Sequence, residues 1–416
     1  MKRAVAKEAK VAKRATSPAA LEWKKRLDRW LLGPAALLLG LVRRLRVPRP
    51  FPSEVGHVVL AKLWGIGNLA MVLPYVAAVR RSFPGARVTF LTLERNRPLL
   101  QGQPGIDAIL TLRDHGLVAP LADVFKLARR LRRERVDLFV DFEQFLRVAG
   151  LLARLAGARF QVGFDTPGQG RASLYDATVP CLGDRHMALG FAELVRAAGV
   201  PTDGCASHEI AVLPAADVRL LARLDDEPPQ PWIVLHPGSG DNFPGRRWPI
   251  ERFAETGARL VALHGGTLLL TGSAAEAPLV RELGAELAAR DASFRDLCGA
   301  LDLPMLVALL ARAELLVSND TGPVHLASAV RTPVVALYGP NSPRLYGPLG
   351  ADHRALYRPL PCSPCLTNQN GKSSRCTLPL CIRRIPTEDA VAAADELLAA
   401  HAAHAAHAAK SAAATP

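Results

Sequence analysis

The sequence predicts an α/β protein of two doubly wound, Rossmann-like domains behind a basic N-terminal arm. Three observations predict it. Two series of alternating strand and helix patterns follow one another along 416 residues, a length that suits two domains of ordinary size. A proline- and acid-rich stretch, DDEPPQP (225–231), stands between the series. Glycine-rich polar clusters come directly after strands, and open α/β sheets bind ligands at the carboxyl ends of their strands.

The first series spans 53–224. HVVLAKL (57–63), with the apolar run Val58–Ala61 inside it, reads as a buried strand. A helix follows at 69–83 (LAMVLPYVAAVRRSF), interrupted by Pro74. RVTFLTL (87–93) and DAILTL (107–112) are the next strands. A helix at 121–134 (LADVFKLARRLRRE) leads to strand VDLFVDF (136–142). Strands alternating with helices imply a parallel sheet. The second series, 232–396, places strands at WIVLHP (232–237), GTLLLTG (266–272), AELLVSND (313–320) and PVVALYGP (333–340). The tail, 397–416, is rich in Ala and His. His401, His404 and His407 at i, i+3, i+6 share a helix face, and a solvated low-complexity tail is the expected reading.

The chain is 49% hydrophobic and 22% charged, with net charge +14. The charge is concentrated. Residues 1–50 hold fourteen Lys/Arg against three Asp/Glu, which leaves the rest of the chain almost neutral. A nucleic-acid binder carries its basic face on the folded domain, so no nucleic-acid partner is expected. Within the arm (1–52), the apolar run Trp30–Val42 is flanked by Lys24, Lys25, Arg26, Arg29 and by Arg43, Arg44, Arg46. It is too short to span a bilayer. It fits an interfacial helix on an anionic membrane surface, with packing on the body of the protein as the alternative. No secretory signal pattern is present. The expected location is therefore the cytoplasm, peripheral on the inner face of the membrane.

Three clusters carry chemistry. In VSNDTGPVHLASAV (317–330), a strand ends at Asn319-Asp320 and a Thr321-Gly322-Pro323 turn opens a helix. Proline is tolerated at a first helical position, and the free N–H groups there form a diphosphate site. Asp320 stands beside it and His325 one turn in. In HPGSGDNFPGRRWP (236–249), Ser239 offers a hydroxyl and Arg246 a fixed charge for a departing diphosphate. In TGSAAE (271–276), Glu276 offers its carboxylate to a ribose. All three follow strands of the second series.

These segments resemble glycosyltransferase family 9, the heptosyltransferases. The NDTGPVHLASAV…TPVVALYGP run, HPGSG…RRWP, TGSAAE and the PCSPC segment stand in that family's order. VVLAKLWGIGNLAMVLPYVAAVRRSFPGARVTFLT and DFEQFLRVAGLLARLAGARFQVGFD match in the first half, so the resemblance covers roughly 55–395. It implies the GT-B architecture, two Rossmann-like domains facing a cleft, with the domain that binds the acceptor glycan first. It implies a nucleotide-sugar donor, typically ADP-heptose, held by Ser239, Arg246, Glu276, Asp320, Thr321, Gly322 and His325. Lys62, Trp64 and Asn68 fall on the acceptor side. The implied reaction is inverting, metal-independent transfer to a lipid A-linked core oligosaccharide or similar glycolipid, with no cofactor required. Helix N–H groups and an arginine stabilise a leaving diphosphate without a metal ion, and no Asp-x-Asp metal motif occurs.

The sequence departs from the family in the turn Lys62–Asn68. Asn68 stands where the family's proposed catalytic base is aspartate, and an amide cannot accept the proton. Glu143, after the fourth strand, is the replacement candidate, with Asp141 second. A Glu143–Arg147 ion pair one helical turn apart is the structural alternative. Catalysis is thus assigned to Glu143, Asn68 and Asp320, or a binding homologue has lost it, or another nucleotide sugar is used. Gly65–Ala70 also approximates a dinucleotide fingerprint with Glu94 after the next strand, so an NAD-dependent oxidoreductase is the alternative from another class. Cys362, Cys365, Cys376 and Cys381 have approximate zinc-ligand spacing; reduced thiols in a basic loop are the plainer expectation.

Overall fold

The computed structural model describes residues 50–113, 118–203, 210–224, 226–240, 243–350, 352–370 and 372–413, with side chains at 118–121 and 405–413 outside the description. The expected membrane helix of the arm lies outside the described residues. The chain divides into two compact units, Met1–His208 with Leu366–Ser373, and Glu209–Cys365 with Ser374–Pro416.

In the first unit, the elements run β1 (His57–Ala61), α1 (Ile66–Val72), α2 (Pro74–Ser82), β2 (Arg87–Leu93), α3 (Arg97–Leu100), β3 (Ala108–Leu112), α4 (Val118–Glu134), β4 (Leu138–Asp141), α5 (Val148–Ala156), β5 (Phe160–Asp165), β6 (Ala177–Pro180) and α6 (Met187–Ala197). The sheet order is β3-β2-β1-β4-β5-β6, parallel throughout. The central strands β1 and β4 are buried along their whole length, as their apolar runs require. Pro74 splits the expected helix in two because proline lacks the N–H that would bond back into α1. Val59, Leu91, Leu127, Leu131, Phe139 and Leu152 belong to this unit's core.

The second unit runs α7 (Pro214–Leu224), β7 (Trp232–His236), α8 (Ile250–His264), β8 (Thr267–Leu270), α9 (Ala277–Ala288), β9 (Phe294–Asp296), α10 (Leu303–Arg312), β10 (Leu315–Asn319), α11 (Gly322–Ala329), β11 (Val334–Tyr338), α12 (Pro343–Tyr346), β12 (His353–Tyr357), α13 (Leu380–Arg383) and α14 (Thr387–Ala413). Its sheet order, β12-β11-β10-β7-β8-β9, repeats the first unit's: the first strand sits centrally, the next two lie on one side and the last three on the other. In both sheets the order reverses beside that first strand, the place where such sheets bind ligands.

Two boundaries differ from expectation. The expected linker at 225–231 lies inside the second unit, because α7 already belongs there: Arg312 on α10 holds Asp217 on α7 through Nε at 2.6 Å and Nη2 at 2.8 Å. The helix before the tail continues across residue 397 to Ala413, anchored by Ala390, Ala394, Leu397 and Leu398 in the core. His401 is partly exposed and His404 exposed on it.

Each unit buries a histidine in its sheet. His57 binds Thr89 Oγ1 through Nε2 at 2.9 Å, and His236 binds Thr271 Oγ1 through Nδ1 at 3.1 Å. Burial lowers the pKa of both below the ordinary histidine value. A histidine depressed in the folded state leaves stability intact above its unfolded pKa of about 6.5 and costs stability as pH falls below it. Resistance to urea is therefore expected to fall between pH 7.5 and 5.5, with a limiting slope of about 1.4 kcal/mol per pH unit for each histidine. The His57→Gln/His236→Gln variant should show a flatter profile in the same titration.

Candidate active site

In the second unit, the loops after β7, β8 and β10 meet through side chains. Glu276, 6% exposed, follows β8. Its Oε1 accepts the N–H groups of Ser239 (3.1 Å) and Gly240 (3.0 Å), and its Oε2 accepts the Ser273 N–H (2.9 Å) and hydroxyl (2.8 Å). A carboxylate has about four lone-pair sites, and protein donors occupy all four here. The expected ribose partner is thus a brace between two loops. Burial favours its protonated form, but His236 and these donors outweigh that and hold the carboxyl below its ordinary value. Gly238 is required beside it, since a Cβ there would stand 2.3 Å from Glu276 Oε1.

Arg246 joins the loop after β7 to the end of β10. Its Nη1 donates to the Asp320 carbonyl at 2.9 Å and its Nη2 to the Ser239 carbonyl. The same Nη1 lies 3.8 Å from Asp320 Oδ2. Asn341, beyond β11, donates to that oxygen at 2.9 Å. Asn319 is wholly buried; it accepts the Trp248 N–H at 3.0 Å and donates to the Pro237 carbonyl at 2.7 Å. Thr321 is extended, makes no side-chain capping bond, and with Gly322 is only partly buried at the mouth of α11. The helix begins at Gly322, so Pro323 takes the second position and not the first. His325 is buried one turn in. Ser239, Arg246, Glu276 and Asp320 thus form one bonded network, with Thr321 and Gly322 next to it in the chain. Sequence reasoning missed Gly238 and Asn341; the placement of Asn341 just after β11 was the available signal.

In the first unit, β1 runs into the turn Lys62–Gly65. Gly65 has φ 83°, and a Cβ there would press on Asn68 Nδ2 at 3.1 Å. Asn68 and Trp64 are half-buried. Lys62, expected to touch a ligand, is 1% exposed. Its Nζ reaches Glu143 Oε1 at 2.8 Å and Gln144 Oε1 at 3.2 Å. Glu143 has no exposed surface; the same Oε1 also accepts the N–H groups of Leu63 (2.7 Å) and Trp64 (3.0 Å). Its other oxygen is buried without a hydrogen-bond partner among the described residues. The expectation of a proton-accepting Glu143 therefore meets an enclosed carboxylate, and the expected pairing with Arg147 is a pairing with Lys62 instead.

Asp141, the second candidate base, is equally enclosed. Its Oδ2 receives Arg171 Nη2 at 3.0 Å and the Tyr175 hydroxyl at 2.6 Å, and its Oδ1 receives the Glu143 N–H at 2.9 Å. Burial pushes its carboxyl above the ordinary value, against the pull of Arg171. Among the described residues, no group of three or more His, Cys, Asp or Glu is arranged to hold a metal ion. None of Cys362, Cys365, Cys376 and Cys381 is joined in a disulfide; Cys362 and Cys376 are exposed, Cys365 is half-buried and Cys381 is buried.

Comparison with known proteins places the chain among heptosyltransferase-like sequences and folds. The chain is 27% identical to lipopolysaccharide heptosyltransferase 2 of Escherichia coli over 309 residues, 72% of this chain and 87% of that protein. It is 26% identical to lipopolysaccharide heptosyltransferase 1 of Pseudomonas aeruginosa, over 74% of this chain and 86% of the relative. Among solved structures, a family 9 glycosyl transferase from Veillonella parvula superposes with TM-score 0.70 at 21% identity, covering 85% of this chain and 99% of that one. The E. coli ADP-heptose lps heptosyltransferase II superposes with TM-score 0.67 at 22% identity, covering 82% and 98%. These structures share the two-sheet GT-B fold found here. The model of glycosyltransferase family 9 (heptosyltransferase) matches residues 124–374, more than half of the chain, and the chain belongs to that family.

Proposed function

We propose that this glycosyltransferase moves a heptose from ADP-heptose to a lipopolysaccharide core or related glycolipid. The observation that carries the reading is the network in the second unit, where Arg246 bonds to the Asp320 carbonyl just before α11 and to the Ser239 carbonyl in the loop after β7. Partial positive charge at a helix N-terminus and a fixed guanidinium both favour a diphosphate, and both stabilise it as it leaves. Ser239, Thr321, Gly322 and His325 surround the donor in this reading. Asp320, oriented by Asn341, meets a donor-sugar hydroxyl, and Glu276 keeps the loops in place. The relatives named above are lipopolysaccharide heptosyltransferases, which supports heptose as the sugar and a core glycan as the acceptor.

On the acceptor side, Trp64 and the half-buried Asn68 present the turn to the glycan, and Asn68 orients the attacking hydroxyl. Glu143 acts through the turn by holding the Leu63 and Trp64 amides. Inversion follows from a single displacement at the anomeric carbon. The basic arm contributes attraction to the membrane surface.

Calorimetric titration with ADP, ADP-heptose, UDP- and GDP-sugars and NADH tests the donor reading. Saturable binding of ADP and ADP-heptose, with none of NADH, is expected. Preference for a UDP- or GDP-sugar would replace heptose while keeping transfer, and absence of all nucleotide binding would end the proposal.

A further inference from the structure

Helix α4 is amphipathic in an uncommon way. Its inner face buries Val124, Leu127, Ala128 and Leu131. Its outer face exposes Phe125, Lys126, Arg129, Arg132 and Arg133. The spacing i, i+1, i+4, i+7, i+8 draws these five into one stripe along the helix. Phe125 is 60% exposed at the amino-terminal end of the stripe, and four cations follow it.

The acids near this stripe are already engaged. Asp123 binds Arg113 at 2.7 Å, and Glu134 binds Arg130 at 2.8 Å with Arg87 3.7 Å away. Lys126, Arg129, Arg132 and Arg133 have no ion-pair partner among the described residues, and like charges three and four residues apart oppose helix formation in water. An anionic surface relieves that repulsion. Phe125 narrows the choice of surface. One exposed aromatic at the edge of a basic helical face suits the headgroup–acyl boundary of a bilayer, whereas single-stranded nucleic acid is held on aromatics interleaved with the cations.

We infer that the Phe125–Arg133 stripe of α4 is a docking face for an anionic lipid bilayer, with the cations on the headgroups and Phe125 entering the boundary layer. This surface is separate from the arm and from the donor site, and it does not depend on which sugar is transferred.

The test uses the full chain with phosphatidylglycerol/phosphatidylcholine vesicles and with phosphatidylcholine alone. Neither holds a glycan, so a failure of the transfer reading leaves the result readable. Wild type should partition onto the anionic vesicles at low salt and leave them at high salt. The K126Q/R129Q/R132Q/R133Q variant should lose about 10²-fold or more in partition coefficient, and F125S several-fold, with circular dichroism unchanged and the thermal midpoint not lowered, since all five side chains are exposed. Partition of the quadruple variant equal to wild type would assign membrane binding to the arm alone and overturn the inference. Loss in the quadruple variant with none in F125S would overturn it in favour of a purely ionic partner. Loss of RNA binding with vesicle partition intact would do the same.

Discussion

Arg246→Ala is expected to lower kcat/KM for sugar transfer by about 10²–10³-fold, the range seen when a preorganised donor to developing charge is removed. Two effects add. The guanidinium links the Ser239 carbonyl to the Asp320 carbonyl, so its loss removes one tie between the loop after β7 and the end of β10 and leaves those made by Asn319. In the proposed reaction the charge also disappears from beside the departing diphosphate. Arg246→Lys separates the two, because an ammonium keeps the charge but cannot serve two carbonyls with a fixed planar fork. The lysine variant should bind ADP nearly as well as wild type while recovering only part of kcat. The measurement is a steady-state assay of both variants beside ADP calorimetry. Wild-type transfer by Arg246→Ala would remove the residue from the mechanism.

The convergence of the second unit's polar clusters was legible because each of its parts follows a strand, and strand ends of one parallel sheet are brought together by topology alone. Buried central strands announce themselves as apolar runs, so β1, β2, β4, β7, β10 and β11 could be read directly. The buried β5, whose run is broken by Gln161 and Gly163, was missed, and so were the short β9 and β6 and the outlying β12. FRD and ATVP carry too few apolar residues to mark a strand, and pairing with a neighbour, not their own pattern, makes them part of the sheets. The direction in which a polar side chain is used was also hidden. Glu276 looked like a ligand residue because a carboxylate after a strand can face outward. Only the folded loops show four protein donors converging on it. Lys62 and Glu143 misled in the same way: 81 residues separate them, and nothing local tells that each is the other's partner.

That pair yields the largest expected effect on stability. Lys62→Met leaves the Glu143 carboxylate enclosed without its cation, and removing one partner of a buried pair costs about 3–5 kcal/mol. Glu143→Gln is milder, since an amide oxygen still accepts from Leu63, Trp64 and Lys62, although the lysine then lacks its counter-charge. The double variant Lys62→Met/Glu143→Gln should recover part of the loss, giving a coupling energy of at least about 1 kcal/mol in a double-mutant cycle. Urea unfolding followed by amide exchange on β1 and β4 reports on this unit alone. The same variants decide what Glu143 does in transfer. As a positioning residue it acts through the Leu63 and Trp64 amides. Glu143→Gln should then raise KM for the acceptor glycan and keep the acid limb of the kcat pH profile. As the base it would lose kcat by about 10²–10⁴-fold, and the acid limb with it. Three donors already crowd Oε1 and protein encloses Oε2. The positioning outcome is therefore the expected one, and loss of the acid limb would return the proton to Glu143.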